Sequence, residues 1–211
     1  MRSPLTSLDT GDVVAARGGG RSRPGPPRRR SGHGEDGEAK AGADRHGAGV
    51  GLGGGATTPY PSEISVAGLR EGKVLDANLM LKGFSHKYPY EADVMASHGT
   101  RSRTVMSDTG NNIGVNNITL GLDDEAASPL PPGAGTALTT GTFKPTNASD
   151  GYGSDAFPAP APPANAAPEL PGFDGAKANG RWQLWVADDE DVDRGEFIGG
   201  WSVEIKARVL R

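Results

Sequence analysis

Apolar residues recur at every second position along the C-terminal three quarters of this chain. Leu75, Ala77, Leu79 and Leu81 form one such run, with Asp76, Asn78 and Met80 between them. Successive side chains of a strand point to opposite faces, so this period predicts a strand buried on one side. Ile64, Val66 and nearby Leu69 fit an earlier strand, and Val94 with Ala96, then Arg103 to Met106, fit two later ones. Ile118, Leu120 and Leu122 repeat the alternation, as do Trp182, Leu184 and Val186, and Trp201, Val203 and Ile205 close the series. Gly or Pro interrupts every window long enough to sustain a helical apolar stripe. Short runs separated by Gly, Asn, Asp and Ser predict an all-β fold, a sandwich whose two sheets meet in one dry layer. Trp182 and Trp201 are expected in that layer; the competing role for each is carbohydrate stacking on an exposed face.

Residues 1–55 break the pattern. They hold fifteen glycines, four prolines, nine basic and six acidic residues, and no aromatic residue. Such a segment buries too little apolar surface to offset the entropy of ordering its backbone, so it reads as a disordered N-terminal tail. A gene start placed too far upstream is the alternative origin of these residues. Residues 56–211 contain every Trp, Tyr and Phe of the chain and form the expected folding unit. Within it, a proline-rich stretch at about 156–171 cannot be a central strand, because proline lacks a ladder donor. A long surface loop anchored by Phe157 and Phe173 is favoured over a linker between two modules.

Charge narrows the choice of partners. Residues 56–211 carry thirteen basic and twenty acidic residues. The basic cluster Arg28 to Arg30, with Arg21 and Arg23, has no interleaved aromatic residue, so nucleic acid is not an expected partner. The chain has no cysteine, which excludes disulfides, thiol catalysis and thiolate zinc sites. No apolar run has the length of a membrane span, and no secretory signal is evident at the N-terminus.

Four blocks carry a family likeness. They are Gly83-Phe-Ser-His-Lys-Tyr-Pro-Tyr-Glu-Ala-Asp-Val94, Ser97-His-Gly-Thr-Arg-Ser-Arg-Thr-Val-Met106, Asn179-Gly-Arg-Trp-Gln-Leu-Trp-Val-Ala-Asp188, and Asp193-Arg-Gly195 followed by Gly200-Trp-Ser-Val-Glu-Ile205. Together they resemble the P domain, or P/Homo B domain, of proprotein convertases and bacterial subtilisin-like proteases, over roughly residues 60–206. Met106-Ser-Asp-Thr-Gly110, Thr140-Gly-Thr-Phe-Lys-Pro-Thr146 and the Phe157 proline loop are similar to a longer bacterial version. His98 departs from the family's common hairpin, which has Pro there. The resemblance implies a jelly-roll-like sandwich, a non-catalytic accessory role beside a subtilisin-like serine protease or another secreted domain, calcium binding, and an extracellular or cell-envelope location.

The chemistry of the residues points to a cation more than to catalysis. Asp188, Asp189, Glu190, Asp191 and Asp193 supply a dense run of oxygens before Gly195, and Asp93 and Asp108 add candidates in the front half. Asp189, Asp191 and Asp193 imitate the start of an EF-hand loop. Arg194 then stands where that loop needs Gly, and Gly200 where it needs Glu. Asp93 and Asp188, both at the ends of expected strands in the family-like blocks, are the leading calcium ligands. The competing reading is a solvated acidic turn. Among the four histidines, neither His86 nor His98 lies in a serine-protease motif, and Gly-x-Ser-x-Gly is absent. The expected function is therefore a non-catalytic accessory or interaction domain. An independent secreted adhesion or carbohydrate-binding module is the alternative, with Tyr88, Tyr90, Tyr152 and Trp185 as candidate exposed aromatics.

Overall fold

In a computed structural model, the described residues are 14–15, 35–41, 55–132, 136–148, 155–165, 167–190 and 193–209. They form an all-β sandwich. In chain order the strands are β1 (Val14–Ala15), β2 (Glu35–Ala41), β3 (Gly55–Ala56), β4 (Ser62–Val66), β5 (Lys73–His86), β6 (Ala92–His98), β7 (Arg101–Ser107), β8 (Val115–Leu122), β9 (Gly141–Phe143), β10 (Thr146–Asn147), β11 (Gly180–Asp188), β12 (Gly195–Phe197) and β13 (Trp201–Val209). Short 3-10 turns at Pro89–Glu91 and Leu170–Phe173 are the helical elements among the described residues.

One sheet runs β1-β2-β13-β5-β8-β9, with β12 also paired to β5. The other runs β10-β7-β6-β11-β3, with β4 also paired to β11. Both are mixed, because β8–β9 and β7–β10 pair in parallel while the longer ladders are antiparallel. β1 and β2 fall inside the stretch read as a disordered tail, and β2 extends the first sheet by pairing with β13 from Val203 to Val209. The rest of that stretch lies outside the described residues.

The two inner faces meet in a single core. Ala77, Leu79, Leu81, Leu120, Leu122, Val203 and Ile205 come from the first sheet, and Val94, Ala96, Met106, Trp182, Leu184 and Val186 from the second. Trp182 and Trp201 are buried in it, as the alternation predicts. Each also finds a partner for its indole N–H: Trp201 donates to Ser62 Oγ at 2.9 Å across the sandwich, and Trp182 to Ala178 O at 3.4 Å. Leu170 and Phe173, from the second 3-10 turn, join the core, with the Phe173 ring 5.1 Å from that of Trp182.

The period of two holds only between bulges. Leu75 is half-buried while Val74 is buried, so the expected first run is out of phase by one residue at its start. The cause is an irregularity opposite Lys206 and Ala207, where Asp76 and Val74 pair with consecutive residues and Leu75 is left over. A second irregularity lies between Leu81 and Phe84, at Gly83. Gly83 has φ of +70°, and a Cβ there would lie 2.5 Å from Ile198 Cγ2. The extra residue restores Phe84 and His86 to the buried face.

The second sheet is covered on its outer side as well, and every residue of β6 is buried. Trp185 faces outward from β11 yet is buried, which removes it from the expected exposed aromatics. The Tyr60 ring packs edge-on against it at 5.0 Å, and its N–H donates to Ser97 Oγ at 2.8 Å. Tyr88 and Tyr90 are half-buried, and Tyr152 lies outside the described residues. The proline-rich stretch crosses this side: Tyr60 Oη donates to Pro158 O and Ser102 Oγ to Pro163 O, each at 2.9 Å, and the Thr104 N–H donates to Asn165 O at 3.1 Å.

Truncation separates the bulged residue from the true core. Leu79→Ala is expected to cost about 2–5 kcal/mol of unfolding free energy, and Leu75→Ala about 1 kcal/mol or less. Urea titration followed by tryptophan fluorescence measures both, and equal losses would contradict the bulge.

Candidate metal centre

Three strand ends converge at one edge of the sandwich. β5 ends on His86, the turn entering β6 carries Glu91, and β11 ends on Asp188. One ligand atom from each lies within 4.8 Å of the others, and all three residues are buried. His86 Nε2 is 3.2 Å from Asp188 Oδ2, and the Tyr88 N–H donates to His86 Nδ1 at 3.0 Å. In the neutral ring Nδ1 is thus the acceptor, and Nε2 carries the proton that it donates to Asp188. Asp188 Oδ1 also accepts the Glu190 N–H at 3.1 Å.

That tautomer decides what the trio can do. A metal on His86 would need the Nε2 lone pair, with Nδ1 protonated toward an acceptor. Nδ1 faces an N–H donor instead, so His86 fits a hydrogen-bonded pair with Asp188 better than a metal ligand. Glu91 Oε2 is buried without a hydrogen-bond partner. Burial holds its carboxyl above the usual range; the Tyr90 hydroxyl opposes this shift, and the Asp188 charge adds to it.

A second acidic cluster lies on the other face of the same two strands. Asp93 pairs with Ala187, one position from Asp188, which pairs with Ala92. Neighbouring residues of a strand point to opposite faces. Asp188 therefore joins the inner side with Val186, whereas Asp93 lies outward. The two leading candidates are not brought into one site.

Asp93 is 0% exposed, and neither carboxyl oxygen has a hydrogen-bond partner. Burial pushes its carboxyl up to about 9, the charges of Asp155, Asp189 and Asp108 push the same way, and the nearby Ser107 hydroxyl opposes them. Ser107 Oγ lies 2.7 Å from Asp155 Oδ1 and 3.3 Å from Asp108 Oδ2. Thr104 Oγ1, on β7, and Thr109 Oγ1, in the turn beyond it, are buried without partners. The donor set is entirely oxygen, which fits a hard cation such as calcium.

Asp108 and Asp189 thus lie near enough to act on Asp93 by charge, with Asp189 at the exposed rim, but among the described residues these carboxylates do not converge within 4.8 Å as His86, Glu91 and Asp188 do. Asp193 is turned away to Lys87, whose Nζ lies 2.9 Å from its Oδ1. Asp191 lies outside the described residues. Sequence reasoning missed Asp155 and Ser107 here, and His86 and Glu91 as partners of Asp188. Asp155 is 47 positions from Asp108, so only the path of the proline-rich stretch reveals it. The signal for Ser107 was its place in the family-like Met106 to Gly110 block.

His98 is architectural. Its ring stacks on Trp182 at 4.3 Å, and its nitrogens lie 2.8 Å from Arg181 O and 2.6 Å from Lys177 O. Nearby, a cleft of about 790 Å³ is lined by Lys73, Arg101, Lys177 and Arg181, with no carboxylate in its wall. Among the described residues no helix is long and apolar enough to cross a membrane. No protein-family model matches this chain, and neither a curated protein nor a solved structure matches it.

Asp93 sets a pH dependence. In the metal-free folded chain it keeps its proton up to about pH 9, whereas the unfolded chain releases it at about pH 4. The folded state binds more protons between these limits, so stability falls as pH rises through that window. In chelating buffer the thermal midpoint is expected to be lower at about pH 8 than at about pH 5, and Asp93→Asn to remove this contribution. An unchanged slope in Asp93→Asn would refute the assignment.

Proposed function

We propose that this chain is a non-catalytic accessory domain that holds calcium at the outer-face carboxylates and works by packing against a second protein. A subtilisin-like serine protease is the partner that the P-domain-like blocks imply, and an extracellular or cell-envelope setting would supply the calcium. The observation that carries the reading is the use made of those blocks. Trp182, Val186, Trp201 and Val203 build the core, and Asn179 Oδ1 accepts the Leu69 N–H at 3.0 Å. All four ring nitrogens of His86 and His98 have partners, and none of those partners is a hydroxyl. Neither ring is left to activate a serine, as a triad requires.

Calcium is supported by Asp93. An uncompensated carboxylate in a buried, acidic neighbourhood is costly, and a divalent cation reverses the sign of that environment. Asp93, Asp108 and Asp189 would supply charge to the ion, which would serve structure rather than reaction. The cleft around Lys73, Arg101, Lys177 and Arg181 is the basic part of an otherwise acidic domain and offers a polar face to a partner, although Arg181 pairs with Glu63 at 3.7 Å and Arg101 donates to Gly172 O and Asp174 O. The carbohydrate-binding alternative loses one of its four candidate aromatics, because Trp185 is buried under Tyr60.

Two measurements test this reading. Calcium added to chelator-treated protein at about pH 8 is expected to raise the thermal midpoint by several degrees, with magnesium much weaker. No calcium binding and no shift would remove the ion from the proposal. Co-expression with a subtilisin-like protease from the same organism is expected to lengthen that enzyme's half-life on heating, and an unchanged half-life would refute the partnership.

A further inference from the structure

We propose that the cleft beside His98 binds an acidic peptide segment of a partner protein, and that Lys73 and Lys177 are its charged contacts. The inference rests on the accessory reading above only for the existence of a protein partner, and it names the chemistry by which that partner is met.

Backbone pairing forces two lysines together. Lys73, at the start of β5, forms an antiparallel bridge with Lys177, in the turn before β11. The Val74 N–H donates to Ala176 O at 3.0 Å, and the Ala178 N–H to Gly72 O at 2.8 Å. These bonds flank the lysine pair instead of joining it. The pair is therefore of the non-hydrogen-bonded kind, with Cα atoms about 4.5 Å apart and side chains at their closest. Val74 and Ala178 are buried, so both lysines leave on the outer side, where both are exposed. β13 continues the row, because Arg208 stands opposite Lys73 on its other side. Like charges placed directly across a sheet are destabilising.

The cleft supplies no countercharge of its own, since its wall carries no carboxylate. Asp76, the carboxylate of β5, stands opposite Lys206. Asp36 of β2 stands opposite Arg208, which gives that end of the row an acidic neighbour in register. Among the described residues neither Lys73 nor Lys177 has an ion pair or a side-chain hydrogen bond. The two arginines are already engaged. Arg101 donates to Gly172 O at 2.9 Å and to Asp174 O at 2.7 Å, and Arg181 lies 3.7 Å from Glu63. The lysine pair is thus the charge left to meet a ligand.

The shape and lining of the cleft select the kind of anion. Its volume of about 790 Å³ is in the range of ligand sites. Two flexible ammonium groups act as point charges, so they suit carboxylates presented at variable spacing along a peptide. Asn179 spends its Oδ1 on the Leu69 N–H, which leaves its Nδ2 donors for a peptide carbonyl. No Trp, Tyr or Phe lines the cleft, and the His98 ring is stacked on Trp182. A sugar therefore finds no aromatic platform there, which favours an acidic peptide over a sulfated glycan. Residues 56–211 hold thirteen basic and twenty acidic residues. An acidic segment is repelled by most of this surface and admitted at the cleft, which orients the partner as well as holding it.

The test uses the full chain and a fluorescein-labelled hexa-aspartate peptide, followed by anisotropy at about 20 mM and about 200 mM ionic strength. The unaltered chain is expected to bind the peptide at the lower ionic strength and at least about tenfold more weakly at the higher. Lys73→Gln combined with Lys177→Gln is expected to weaken binding at least about tenfold without lowering the thermal midpoint, because a like-charge pair is relieved. Lys87→Gln combined with Lys144→Gln removes the same charge outside the cleft and is expected to keep the affinity. Equal weakening in the two double variants would sink the site, since net charge alone would then account for binding. A lowered midpoint in the cleft variant would contradict the like-charge pairing on which the inference stands. Tighter binding of a heparin hexasaccharide than of hexa-aspartate would overturn the peptide assignment. No binding by the unaltered chain would overturn the inference outright, while the protease half-life reports separately on the accessory role.

Discussion

The antiparallel register of β6 against β11 governs the rest of the molecule. It sets Val94 opposite Val186 and Ala96 opposite Leu184, on the face that meets the first sheet. The same register sets Met95 opposite Trp185 and Asp93 opposite Ala187, on the face turned away. Because this strand pair is buried on both sides, every polar side chain that it carries must find a partner or bear the cost of desolvation. A slip of β11 by one residue would move Trp182 out of the core and carry Asp188 to the face that holds Asp93.

This double burial explains why the sequence was legible in one half and opaque in the other. Alternation alone located the inner face, because Trp182, Leu184 and Val186 and then Trp201, Val203 and Ile205 obey a strict period of two. It could not locate the bulges. Leu75 and Val74 are both apolar, and the pairing of β13 decides which is buried. Nor could alternation reveal that the outward face is covered, since Trp185 reads as exposed until Tyr60 and the proline-rich stretch are laid over it.

The acidic residues repeat the lesson. A run of carboxylates near Asp188 is visible in the sequence as a reservoir of charge, but the pleat distributes it. Asp188 turns inward to His86, Asp189 remains at the rim near Asp93, and Asp193 engages Lys87. Proximity in sequence therefore overstated how far these groups act together. Distance in sequence hid Asp155, which reaches Ser107 only because the chain returns across the sheet.

The two clusters meet the same electrostatic problem with different means. At the inner cluster the donor is internal: the Tyr88 N–H fixes the tautomer of His86, and His86 then donates to Asp188. Buried carboxylates are tolerated when such donors are built in. At the outer cluster the single hydroxyl of Ser107 faces Asp155 and Asp108 and also acts on Asp93, whose own oxygens have no partner at hydrogen-bond geometry. What remains for Asp93 is to hold a proton of its own or to share a cation with its neighbours. The first removes one charge from a neighbourhood that Asp155, Asp189 and Asp108 make acidic, and the second would offset their charge as well. The inner cluster is not settled in full either, because Glu91 Oε2 is buried there without a hydrogen-bond partner.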